Sequence, residues 1–119
     1  MARESGSYRE GYFVTVAASE AGLLAFVTAV DARLLASSGS DADAISGTIA
    51  MNALCENAAG TEYTHKVSFT FDTGDQADAL GEVTTILAAL EVFINAIEAN
   101  SDYTTVASVD VTANIIASN

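Results

Sequence analysis

Residues 61–72 read TEYTHKVSFTFD, the clearest period of two in the chain. Tyr63, His65, Val67, Phe69 and Phe71 fall on one side of an extended strand, and Glu62, Thr64, Lys66, Ser68, Thr70 and Asp72 on the other. Upstream, residues 43–55 alternate Ile45, Gly47, Ile49, Met51, Ala53 and Cys55 with Ser46, Thr48 and Asn52. Between the two runs lies the turn Glu56–Gly60, so together they read as a β-hairpin with a loop of three to five residues.

The period then changes. Thr73 with Gln76 three residues on has the form of a capping box. Leu80, Val83, Leu87, Leu90, Ile94 and Ile97 recur at spacings of three and four, and Ala79, Ile86 and Phe93 widen the stripe. That width predicts a helix lying on a sheet more than a coiled-coil strand. Val92 lies off the stripe, apolar where solvent is expected.

Tyr8–Ala18 reads as a strand apolar on both sides, with Tyr12, Val14 and Val16 alternating with Phe13, Thr15 and Ala17. Ser19 is a good N-cap, and Leu23, Phe26, Val27, Val30 and Leu34 predict a helix over 20–36, ended by Ser37–Ser40 with Gly39 in a left-handed stop. The last run, Tyr103–Ala117, alternates again.

Strand, helix, strand, strand, helix, strand implies an α+β chain of ferredoxin-like βαββαβ form. The expected packing is a four-stranded antiparallel sheet with both helices on one face, in a single domain over 1–119 with 1–7 a polar N-terminal arm. The third and sixth runs span 13 to 15 residues, well above the usual five or six. They therefore bend at bulges, run past the sheet into a neighbour, or split into hairpins of a more β-rich sandwich.

Composition narrows the function classes. Half of the 119 residues are hydrophobic and 17% charged, so a packed core is expected. Sixteen acids against four cations give a net charge of -12, which opposes binding to a nucleic-acid backbone or an anionic membrane surface. No run reaches roughly 18 uninterrupted apolar residues, so no membrane span is expected. The polar start, Met1 to Ser7, lacks the apolar run of a signal peptide, which predicts synthesis and folding in a cytoplasm. One Cys allows no internal disulfide and no Cys-based zinc site. The chain has no Pro and a single Lys, and so forgoes two residues that blunt sheet edges.

Few residues offer chemistry. Asp72, Asp75 and Asp78 are weak candidates for an oxygen-ligated cation; their spacing does not match a calcium loop and suits capping of a helix N-terminus. His65 is a candidate base or pH-sensitive contact, but no spacing supplies it a partner, so it reads as a half-buried side chain. Cys55 lacks the cationic surroundings of a reactive thiol and reads as a small core residue. The glycines form no phosphate loop. No catalytic residue, cofactor or metal is assigned, and no enzyme is expected.

An uncovered sheet face, the missing Pro and the scarce cations point instead to a structural, self-assembling subunit. The classes that fit are a virion component (capsid, cement or decoration, tail) or another shell or filament protein. Its partners would be copies of itself or another structural protein, joined by burial of the sheet face and the terminal arm. Interface candidates are Arg3, Arg9, Tyr63, His65, Val92 and Tyr103. The alternative is a ligand-binding ferredoxin-like dimer, with Tyr63, His65 and Tyr103 lining the site.

Overall fold

In the computed structural model the described residues are 2–12, 17–100 and 105–119, without the side chains of 12 and 17–20. The elements are β1 (Arg3–Tyr12), α1 (Ala17–Ser38), β2 (Ala44–Glu56), β3 (Glu62–Thr73), α2 (Gln76–Glu98) and β4 (Thr105–Ser118). They form one antiparallel sheet in the order β1-β4-β2-β3. This is the expected βαββαβ α+β architecture, though not the strict ferredoxin-like strand order. Each strand–helix–strand unit is split by one strand: β4 lies between β1 and β2, and β2 lies between β3 and β4.

The long strands stay inside the sheet. β2 has 13 residues and β4 has 14, and they pair along almost their whole length with one register shift at Leu54/Cys55. The molecule is accordingly elongated, 57 × 19 × 18 Å.

Alternation fixes the core. Ile45, Ile49, Met51, Ala53 and Cys55 of β2 are buried with Val109, Val111, Ala113, Ile115 and Ala117 of β4. Leu23, Val27, Val30 and Leu34 of α1 and Val83, Leu87, Leu90 and Ile94 of α2 cover them, and the helices also pack on each other. Gly47 belongs to the covered row, and a Cβ there would collide with the backbone carbonyl oxygen of Asn114. Two strands thus approach closely where only glycine fits. Gly39 ends α1 at φ 80° with its N–H on the Leu35 carbonyl at 2.8 Å, as the sequence predicts.

Three local expectations are corrected. First, Arg3–Ser7, expected as an arm, forms the first half of β1, while Ala17 and Ala18 belong to α1; residues 13–16 of the expected first strand lie outside the described residues. An edge strand is held by backbone pairing (here Arg3↔Ser118 through Tyr12↔Val109), so it needs little apolar content. Second, Ser19 lies within α1 and is not its N-cap. Third, α2 is capped by Asp75, whose Oδ1 accepts from Asp78 N at 3.1 Å. The Thr73 hydroxyl instead donates to the Ile45 carbonyl at 2.7 Å, tying the end of β3 to β2.

Both α1, over Ala21–Ser38, and α2 are long and apolar enough by length and composition to cross a bilayer. Thr28, Asp31 and Arg33 interrupt the first and Asp78, Glu82 and Glu91 the second, which is why neither forms an unbroken apolar run. In this fold each lays its buried stripe on the sheet.

Candidate interaction surface

Among the described residues, the reverse of the sheet carries no helix. It is built from Arg3, Ser5, Ser7, Arg9 and Gly11 of β1, the even-numbered residues Ser108–Ser118 of β4, Ala44–Glu56 of β2 and Glu62–Asp72 of β3. Short hydroxyl and amide side chains dominate, so the surface is flat; Ile116 adds an apolar side chain 40% exposed. Ser7 donates to Asn114 Oδ1 at 2.8 Å, and Arg9 reaches Asp110 at 3.6 Å. That ion pair is worth little, since the Arg9 side chain is 73% exposed.

The charge on this face differs from the rest of the chain. Arg3, Arg9 and Lys66 lie here, three of the four cations, against Glu56, Glu62, Asp72 and Asp110. The remaining sequence holds only Arg33 against twelve acids. The face is therefore close to neutral on a strongly acidic molecule.

The other candidates scatter. Tyr63 and His65 lie on the helix-side row of β3; Tyr63 is 44% exposed, with Asn57 Nδ2 3.5 Å from its hydroxyl, and His65 packs edge-on to Phe93 at 6.2 Å between ring centroids. Val92 stands on the outer side of α2, 68% exposed. Tyr103 lies outside the described residues. Asp72 sits on the open face, whereas Asp75 and Asp78 meet at the start of α2, in capping geometry. Among the described residues no group of three or more His, Cys, Asp or Glu is gathered to hold a metal ion.

Cys55 is fully buried at the end of β2, and loss of hydration pushes its thiol pKa above the ordinary range. A cavity of about 240 Å³ opens between Asp31, Asp41, Ala42 and the first residues of α2. Its buried acid is already used: Asp31 Oδ1 accepts from Ala42 N at 2.8 Å, fastening the α1–β2 link to α1. Sequence reading missed Asp31 because an acid at a buried helix position looks like any surface acid until the chain folds back to it. It also missed the gathering of three cations, although reading β1 from Arg3 would have put Arg3 and Arg9 on one row.

No family model matches the chain, and no curated protein matches it.

Proposed function

We propose that this chain is a non-enzymatic structural subunit that assembles with copies of itself by burying the open sheet face. A virion component (capsid, cement or decoration, or tail) or another shell or filament protein made in a cytoplasm fits this role. The observation that carries the reading is the near-neutral, flat, uncovered face on a chain of net charge -12. Four strands of 10 to 14 residues present roughly 800 Å² on that side, from strand rise and spacing, about one partner's share of a standard interface. Two such faces stack without opposing the bulk of the negative charge, which lies on the helix side and in the links.

The residual repulsion between acidic copies is screened by salt. Light scattering is therefore expected to show particle mass rising from low to near-molar sodium chloride. A strict monomer across that range overturns the reading. Thr48→Arg, a bulky cation at the centre of the open face, is expected to block stacking with the monomer's melting temperature unchanged.

A further inference from the structure

The sheet ends in two edges, β1 and β3. The ladder shows which backbone groups point outward from each. Asn57 N donates to Thr61 O at 3.0 Å, and the β2–β3 register runs unbroken from Glu56↔Glu62 to Ile45↔Thr73. By antiparallel alternation, odd-numbered residues of β3 bond to β2, and Thr64, Lys66, Ser68 and Thr70 present N–H and C=O outward. Asn119 N donates to Ala2 O at 3.1 Å, so the same alternation turns Arg3, Ser5, Ser7, Arg9 and Gly11 outward from β1. On both edges the outward residues are those whose side chains lie on the open face. β1 and β3 also run in opposite directions. A copy displaced sideways, without rotation, therefore sets its β1 antiparallel to β3 with its helices on the same side.

The chemistry of the two edges is complementary. The outward row of β1 carries Arg3 and Arg9; that of β3 carries Glu62 and Asp72 about Lys66. Following the sheet's own register with no slip, Ser5 meets Asp72, Ser7 meets Thr70, Arg9 meets Ser68 and Gly11 meets Lys66. Arg3 then stands diagonal to Asp72 and Arg9 diagonal to Lys66, and no like charges are directly opposed. Pairing β1 with a two-fold copy of itself would bring two arginine rows together instead. On the helix side both rims carry half-buried aromatic rings: Tyr8 beside Phe26 (5.5 Å between centroids) at one edge, in a row shared with Glu4 and Glu10, and Phe69 and Phe93 at the other. The same register brings Tyr8 against Phe69 of the neighbour. Neither edge pairing contains a register shift and the chain has no Pro, so two of the usual guards against edge joining are missing; those present are charges, Lys66 on β3 and the inward Glu4 and Glu10 of β1 among them.

We infer that β1 of one copy pairs with β3 of the next, extending one sheet through successive subunits head to tail. The contact is heterologous and ends in a ring or a filament. It rests on the reading that copies associate and adds a second, lateral contact to the stacking of faces.

Ser68→Lys and Ser68→Glu test it in the full chain. Ser68→Lys reduces the net negative charge yet sets a cation opposite Arg9. The half-association concentration at fixed salt is expected to rise about two- to five-fold. Ser68→Glu makes the chain more acidic yet supplies Arg9 with a partner, and the concentration is expected to fall by a similar factor. Shifts that follow net charge instead, or no shift, overturn the edge pairing. A mixture of Ser7→Cys and Thr70→Cys chains, treated with a short bis-maleimide, is expected to give mixed dimers and no Ser7→Cys homodimers. Homodimers in excess, or no cross-links in a protein that still assembles, overturn it too. If the unaltered chain is a monomer at every salt concentration, the self-association reading falls as well. If face-blocked Thr48→Arg still forms mixed cross-links, the edge contact stands without the stacking.

Discussion

The two faces of one sheet differ more than any two elements of this molecule. On the helix side, β2 and β4 present Ile45, Ile49, Met51, Val111 and Ile115, all fully buried. One residue away along each strand, the open side presents Ser46, Thr48, Asn52, Thr112 and Asn114. The backbone conformation is the same, so the contrast comes from the partner each face has or lacks. The covered face supplies the stability of the fold, and in the proposed assembly the open face acts between copies.

The contrast is broken most severely by emptying the covered side. Leu90→Ala removes a fully buried side chain of α2 and is expected to cost about 2–5 kcal/mol in chemical denaturation. Thr112→Ala on the open side is expected to stay within about 0.5 kcal/mol. Comparable losses at both sites would mean that the open face is not open.

Glycine substitution sharpens the same comparison with a smaller effect. Gly47→Ala drives a methyl into the Asn114 carbonyl and is expected to cost about 1–3 kcal/mol. Gly11→Ala, on the open row, meets only the movable Asp110 carboxylate at 2.7 Å and is expected to cost less than half as much in a parallel thermal melt.

The smallest effect is the pH response of Cys55. Its native pKa is raised by burial, so folding favours the protonated thiol. That contribution is complete below the unfolded thiol's pKa of about 8.5 and is lost as pH rises from there toward the native value. Stability is expected to decline over that window, and Cys55→Ala is expected to flatten the decline. A profile that is the same in both proteins would show that the thiol is hydrated.

Much of this was legible from local pattern. In β3 every second residue from Tyr63 to Phe71 faces the helices, as the alternation predicts, and the α2 stripe from Val83 to Ile97 is buried where spacing puts it. β1 was not legible in the same way. Among the residues whose side chains are described, its inward row holds Glu4, Gly6, Tyr8 and Glu10, and at Gly6 a Cβ would run into the Phe26 ring. The more apolar stretch that follows looked like a better strand. For the start of α2 the sequence offered both Thr73 and the acids Asp72, Asp75 and Asp78 as caps; Asp75 takes the role, while Thr73 is engaged with β2.

The sequence by itself determined the order of the elements and which residues share a side, because periods of two and of about 3.6 are properties of a few consecutive residues. Only the tertiary structure decided that β4 runs between β1 and β2. It alone decided that Arg3, Arg9 and Lys66, up to 63 positions apart, gather on one face. Strand order is settled by long-range pairing and by how two helices cover one side, and neither is written in any local stretch.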